Sequence, residues 1–360
     1  MSIEIKIYSN DNLIADLVPF VIECSFDLNA YGCGACEIIL REKWRQDRGA
    51  RRGQDIRIYN DSGILIWRGI IRRTIKRLRS DLLRIDAVGY AWLLRDLVLQ
   101  DNDETAYTNQ PPEAIAEDIF DNFINSNSNI TAFNADLSGL QIGSFEISAG
   151  QNCWEILDRL AAMAGGFVWG IDEQLNLFMR NPSAFDTIPQ HTFDLGVDVL
   201  DLATVETDQV LNDLLIESNS NSYSIRDENS IVQYGPRYLV VHAPQINNEP
   251  DAQLLADGIF TRWANPAPLQ VIRAVSPVSP LKPWEGKFAI RDPQREADGA
   301  ILNTYGSLRY ILFAPGINST LLELQLGALD RTDWQKVFNF APAFPRLGLS
   351  TLANPEAEFE

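Results

Sequence analysis

The chain is poor in the residues from which common catalytic sites are built. It has two histidines, His191 and His242, and neither lies at a metal-binding spacing such as H-E-x-x-H. A lone imidazole cannot complete a three-ligand zinc site. The G-x-S-x-G, P-loop and G-x-G-x-x-G signatures are also missing, which removes the strongest signals for serine hydrolysis and nucleotide binding. We therefore predict no catalytic site, no metal and no cofactor.

Cysteines and long apolar runs are scarce as well. Four cysteines in 360 residues are too few and too scattered for a disulfide framework, so we expect reduced thiols. Cys33 and Cys36 have C-x-x-C spacing but no second pair, which favours small residues at a turn that enters a strand. No apolar run approaches a membrane span, and the first residues alternate in charge. We expect no membrane insertion, no signal peptide and synthesis in a cytoplasm-like compartment.

Acidic residues dominate the composition, but their distribution is uneven. The formal charge is −19, yet residues 1–100 hold 16 Lys and Arg against 13 Asp and Glu. Such polarity suits the packing of copies head to tail, with ordinary solvated faces as the alternative. We predict a candidate basic face between subunits, formed by Arg48, Arg51, Arg52, Arg72, Arg73, Lys76, Arg77 and Arg79.

The first hundred residues predict antiparallel strands. Apolar residues alternate at Ile3, Ile5 and Ile7, and residues 56–58 and 64–67 flank a short Asp-Ser-Gly turn, which is typical of a hairpin. Further strands are predicted at 36–40 and 83–88. Residues 1–98 are therefore predicted to form a first tube-like β-barrel, either alone or completed by part of 194–234.

After residue 100 the apolar residues recur at the spacing of an α-helix. A helix is predicted after Pro111 and Pro112, and a second one begins at Asn152, where Glu155 follows as in a capping box. A hairpin around residues 172–174 completes a small mixed α/β domain at 99–193. Strands at 271–275, 287–291, 308–313 and 321–326, with one helix after Pro250, predict a second tube-like barrel at 194–335. Residues 336–360 contain prolines, and their apolar residues follow neither a helical nor a strand spacing, which predicts an extended arm. The predicted fold class is mainly β with an α/β insert (α+β).

Three other functions are each suggested by one feature of the sequence. The 49 acidic residues guarantee some neighbouring carboxylates, so a peptidoglycan hydrolase stays an alternative. Eight tryptophans suggest a carbohydrate- or receptor-binding module, although most lie on apolar faces and are predicted to be core residues. The basic run at 72–79 could neutralise phosphates, but a pI near 4.5 argues against sequence-specific DNA binding.

Several segments, in order, resemble the central hub proteins of phage tails and of type VI secretion systems. They are GQDIRIY at 53–59 with LIWRGII at 65–71, AVGYAWLL at 87–94, CWEILDRLA at 153–161 with Gly165, Gly166 and LNL at 175–177, YGPR at 234–237 and the helix at 252–263. The resemblance spans roughly residues 1–330. It implies two related barrels per chain around an α/β insert.

The resemblance also implies a function without catalysis. It implies a trimeric ring in a baseplate or tail tip, in which six barrels match a six-fold tail tube and three-fold symmetry seats a central spike. The implied partners are the tail tube, spike, tape measure and other baseplate proteins, with passing DNA contacted without sequence preference. The implied location is the virion tail, assembled in the host cytoplasm. Because the sequence ends without needle repeats or a lysozyme domain, we expect the spike to be a separate protein.

Overall fold

A computed structural model describes residues 3–41, 50–77, 82–100, 105–185, 188–205, 210–218, 221–243, 246, 248–265, 269–275, 281–291, 306–313 and 320–326. Within these ranges strands outnumber helices, so the chain is mainly β with a smaller helical part, as predicted. In the same ranges, no helix combines the length and the apolar character needed to cross a membrane.

Residues 3–89 form the first β unit, a run of antiparallel strands. Alternating burial places Ile5 and Ile7 in the core, and the predicted hairpin is present. Its turn is stabilised by the Asn60 side chain, whose Oδ1 accepts from the N–H of Ile64 at 2.8 Å. The strands are β1 (Ile3–Ser9), β2 (Asn12–Asp16), β3 (Val21–Asn29), β4 (Gly32–Arg41), β5 (Asp55–Asn60), β6 (Leu65–Arg77) and β7 (Leu82–Gly89).

The α/β unit follows. Its best-marked helix begins where the sequence predicted, because the Asn152 side chain accepts from the N–H of Glu155 at 2.9 Å and so caps the helix. The elements are β8 (Thr105–Gln110), α1 (Pro112–Ile119), a π-helical turn (Phe120–Ile124), α2 (Asn125–Asn127), β9 (Ala132–Ala135), β10 (Ile142–Ile147), α3 (Cys153–Met163), β11 (Val168–Ile171) and β12 (Asn176–Arg180).

The remaining elements belong to two different parts of the molecule, the large sheet with its neighbouring strands and a separate small sheet. They are β13 (His191–Asp194), β14 (Val199–Val205), β15 (Asp213–Glu217), β16 (Ser222–Arg226), α4 (Glu228–Tyr234), β17 (Tyr238–His242), α5 (Glu249–Trp263), β18 (Leu269–Val275), β19 (Phe288–Arg291), β20 (Gly306–Phe313) and β21 (Thr320–Leu326). We call β13, β14 and β18–β21 the second β unit. Strands β16, β15 and β17 form a separate three-stranded sheet.

One continuous sheet joins the two β units. Its strand order is β14-β18-β21-β20-β3-β4-β7-β6-β5-β1-β2, and the junction is the antiparallel pair of β20 and β3. Phe26 and Tyr310 stack across this junction with ring centroids 4.8 Å apart, within one shared hydrophobic core. Among the described residues the path has two ends, β14 and β2. Closure of each half into a tube stays a prediction.

A second core lies in the α/β unit and includes part of the segment predicted as the second barrel. Leu255 and Ile259 of α5 are buried in the core that also contains Leu157 of α3. Helix α5 is fixed at its start by Asp251, whose carboxylate accepts from the N–H of Gly143 at 2.8 Å and of Ser144 at 3.0 Å. The domain boundaries stay a prediction, and residues 336–360 lie outside the described residues.

Candidate assembly surface

The predicted basic face is partly assembled on β6 and on the turn that precedes β5. Arg72 and Arg73 are exposed on β6, and Arg51 and Arg52 are exposed on the turn. The N–H of Gly53 donates to the C=O of Ile71 at 2.9 Å, which brings that turn beside β6. The backbones of Lys76 and Arg77 belong to β6, whereas Arg48 and Arg79 lie outside the described residues.

Much of this positive charge is paired within the chain. Arg72 lies 3.3 Å from Asp96, and Arg73 forms a short ion pair with Asp86 of the neighbouring strand. Arg84 bridges Asp86 at 2.6 Å and Glu37 of β4 at 3.1 Å, so an ion-pair ladder crosses three strands. Exposed pairs of this kind contribute little to stability, about 0–1 kcal/mol each. The ladder neutralises the centre of the predicted face.

Of the four members of the face whose side chains the structure describes, Arg51 and Arg52 keep their charge available. Among the residues that the structure describes, neither guanidinium has an ion pair, and both side chains are exposed. An unneutralised pair of arginines on a turn can contact carboxylates of another molecule without first breaking an internal contact. The basic face as a contact between subunits stays a prediction, and Arg51 and Arg52 are its exposed members that have no intrachain ion pair among the described residues.

A second charged cluster was not predicted. The Asp55 carboxylate lies 2.8 Å from both Arg57 and Arg68, which face each other on β5 and β6. Arg57 also stacks over the ring of Tyr8 at 4.2 Å and pairs with Asp11, which lowers the pKa of that carboxyl. The sequence does contain a signal for this cluster. Asp55 and Arg57 lie on one face of a strand, and Arg68 is a third charged residue on the opposite strand.

The residues weighed for chemistry are not arranged as a reactive site. His242 contacts Glu217 at 2.9 Å on the surface, and His191 packs against the ring of Phe193. Cys33 and Cys36 are buried free thiols, and burial raises the pKa of both, which disfavours the reactive thiolate. Within the described part of the chain, no cluster of three or more potential metal ligands occurs.

Most tryptophans are core residues, as predicted. Trp67, Trp154, Trp169, Trp263 and Trp284 are all buried. Trp92 is half-buried and stacks on the guanidinium of Arg95 at 4.0 Å. Trp44 and Trp334 lie outside the described residues. The tryptophans that are described offer no row of exposed rings on which a sugar could stack.

The end of the continuous sheet exposes apolar side chains. On and beside β14, Val197 is 70%, Leu200 64% and Leu202 37% exposed, and Val275 of the adjoining strand is 49% exposed. Among the described residues, β14 pairs along its length only with β18. An apolar edge strand is prone to pair with another chain unless a partner covers it. We call these four residues the β14 edge.

Comparison with known proteins shows the fold. A tail protein from Neisseria meningitidis MC58 superposes with a TM-score of 0.64 at 14% identity, over 91% of this chain and 96% of that one. The 43 kDa tail protein of prophage MuSo2 from Shewanella oneidensis gives the same score and identity, over 91% and 99%. An E. coli component of the type VI secretion system, described as structurally similar to the T4 tail proteins gp27 and gp5, gives 0.55 at 13%, over 91% and 77%.

No family model matches the sequence, and no curated protein matches it. The likeness is therefore one of structure at low sequence identity. The chain has the fold of phage tail proteins and of a type VI secretion component, which confirms the resemblance found in the sequence.

Proposed function

We propose that this protein is a non-enzymatic structural component of a phage tail, and more specifically the hub of a baseplate or tail tip. The observation that carries the proposal is the agreement in fold with two tail proteins over nearly the whole of each chain. A match of that extent covers both β units and the α/β unit, so the likeness does not rest on one common sheet alone. In the proposed role, three copies form a ring between a six-fold tail tube and a three-fold central spike.

The presence of two β units in one chain supports the proposed symmetry. Three chains with two such units each present six similar β structures, which is the number a six-fold tube requires. In this proposal each unit closes into a tube-like barrel. The continuous pairing of β20 with β3 fixes the two units rigidly to each other, which a ring of alternating units needs.

The exposed surface supports association between copies. The β14 edge would be covered by a neighbour in a ring, which removes its apolar exposure and pairs the backbone groups that have no partner among the described residues. Arg51 and Arg52 are available for an acidic neighbour, and residues 101–360 carry 36 acids against 14 bases. We infer that the basic face contributes to the contact through these two arginines.

The proposed role includes partners and a place. The ring would contact the tail tube, a separate spike protein, the tape measure protein and other baseplate proteins, and it would line part of the channel for DNA. The protein would be assembled in the host cytoplasm and remain in the virion tail. DNA passing through the ring would be contacted without sequence-specific recognition, because no base-reading motif occurs in the sequence.

Electron microscopy of the purified protein tests the proposal. The expected result is a hollow ring with three-fold symmetry and six β densities around the opening. An activity gel on bacterial cell walls tests the alternative of a peptidoglycan hydrolase, and no cleared zone is expected. Compact single particles without a ring, or a cleared zone that persists after repurification, would contradict the proposed function.

A further inference from the structure

Three parts of the chain meet at the tip of the β11–β12 hairpin, residues 172–175. The N–H of Ile171 donates to the C=O of Tyr31 at 3.1 Å, so the hairpin crosses the end of the first β unit. Glycine is required at the crossing, since a Cβ on Gly170 would lie 2.2 Å from the backbone of Tyr31. The third part is residues 281–287, which precede β19 of the second β unit and which we call the strap.

The strap is held to the hairpin by a buried ion pair. Glu173 is only 3% exposed, and its Oε1 lies 2.8 Å from Nζ of Lys282. Its other oxygen, Oε2, is buried and has no hydrogen-bond partner among the described residues. This carboxylate has lost its water and recovered contacts with the Lys282 amine and with the Glu173 backbone, while Oε2 stays unpartnered, which leaves part of its desolvation cost uncompensated.

Other contacts fix the strap independently of that pair. Trp284 stacks on Phe178 of β12 with ring centroids 5.4 Å apart. The Gln190 amide donates to the C=O of Lys282 at 2.7 Å and accepts from its N–H at 3.1 Å. The strap can therefore stay folded when the ion pair is altered, which makes the pair open to mutation.

The hairpin tip itself adopts an uncommon backbone. Leu175 has a φ of +64° although it is a bulky residue, and its side chain is buried. Such a conformation is strained for a residue with a Cβ and persists where the surrounding contacts enforce it.

Glu173 is the buried acid of this junction, and its pKa lies above the usual value for a glutamate. Burial raises its pKa, and the contact with Lys282 opposes the rise. For Lys282, burial lowers the pKa, but the hydrogen bond and charge of Glu173 outweigh it, so the pKa is raised and the amine stays charged. The other titratable groups facing the pair are Asp172 beside it, Glu285 on the strap at 3.1 Å from Lys282, and the buried Cys33 thiol, whose pKa is raised by burial.

We propose that the Glu173–Lys282 contact is a proton-sensitive latch that holds the strap on the hairpin, tightens in acid and loosens as the pH rises. Opening returns the carboxyl to water, where it binds a proton less strongly than in the closed state. The closed state therefore holds more protons, and its stability against opening falls as the pH rises through the range above 4.5. The latch connects the α/β unit with the second β unit.

Amide hydrogen exchange on the full-length protein tests the latch. Opening of the strap is measured from peptides covering residues 281–290 between pH 5 and 8, after correction for intrinsic exchange, with peptides from β3 and β4 as the reference for global unfolding. In the wild type, strap opening is expected to increase with pH by up to about tenfold per unit, while the reference peptides stay unchanged.

Three variants separate the latch from ordinary stabilisation. Glu173→Gln removes the titrating group and is expected to make strap opening independent of pH. Lys282→Met leaves an unpaired carboxylate and is expected to raise opening at pH 7.5 by about tenfold or more, with recovery near pH 5. Lys287→Met, on the same strap, is the matched control and is expected to keep the wild-type profile. A flat wild-type profile, the opposite slope, or an unchanged slope in Glu173→Gln would overturn the proposal.

Discussion

Replacement of Asp251 with alanine is expected to destabilise the α/β unit strongly. Asp251 is 1% exposed, and its carboxylate accepts from the backbone N–H groups of Gly143 and Ser144 and from the Asn248 amide at 2.6 Å. The substitution breaks all three hydrogen bonds and leaves two backbone donors without their acceptor. It also frees the start of α5 from β10, although the two segments are more than a hundred residues apart in sequence.

The magnitude follows from those contacts. Hydrogen bonds to a charged group contribute about 1.5–3 kcal/mol each, and a buried unsatisfied donor costs about 1–3 kcal/mol. Allowing for partial access of water, we expect Asp251→Ala to lower the free energy of unfolding by roughly 3–5 kcal/mol, a large share of a typical 5–15 kcal/mol. Asp251→Asn keeps a carbonyl acceptor and is expected to cost about half as much.

Urea unfolding followed by circular dichroism at fixed protein concentration measures this effect. The matched control is Asp257→Ala on the exposed side of the same helix, where, within the described ranges, the side chain accepts a single hydrogen bond, from Gln253 at 2.7 Å. The control is expected to change the free energy of unfolding by less than about 0.5 kcal/mol. Equal stabilities of Asp251→Ala and Asp257→Ala would refute the reasoning.

Three further predictions concern assembly, backbone and pH. Leu200→Lys on the β14 edge is expected to reduce assembly at least tenfold in sedimentation experiments while leaving the monomer folded, whereas Val232→Lys, at an even more exposed apolar position on α4, should assemble normally. Gly32→Ala should lower the free energy of unfolding in urea by more than about 2 kcal/mol, because the added Cβ would lie 2.0 Å from the carbonyl oxygen of Ile171. Gly53→Ala is the matched control, since Gly53 has a similar φ but open space around it, and it should lower the free energy of unfolding by only about 1 kcal/mol. Arg291 lowers the pKa of the Asp194 carboxyl, so the stabilisation from this pair is complete above about pH 3.8 and is lost as the pH falls from there through the lowered pKa. Asp194→Asn should therefore cost under about 1 kcal/mol at neutral pH and nothing once the pH is below the lowered pKa, as measured by thermal unfolding.

Local features of the fold were predictable from the sequence. The β5–β6 hairpin and the start of α3 at Asn152 follow from turn residues, alternation and capping, which act over a few neighbouring residues. The helix at Glu249–Trp263 and the strands β18 to β21 were also found by their apolar spacing. These elements bury one face each, so their pattern is visible in the sequence.

Contacts between distant segments were not predictable in the same way. The pairing of β20 with β3 joins residues nearly three hundred positions apart, and no local pattern fixes such a register. Glu173 looked like an ordinary hairpin residue, because its burial depends on the strap. Strands β15 to β17 lie in a separate sheet, although their alternation alone resembles that of the barrel strands. Of the basic face, the sequence predicted the charges but not their intrachain partners.

The mass of the purified protein in solution tests the central claim most directly. Native mass spectrometry at micromolar concentration is expected to give a trimer of 40.4 kDa chains, about 121 kDa in total. The Leu200→Lys variant in the same experiment should shift the protein toward monomer. A wild-type protein that stays monomeric at these concentrations, or that forms a dimer or hexamer in place of the trimer, would contradict the proposed hub.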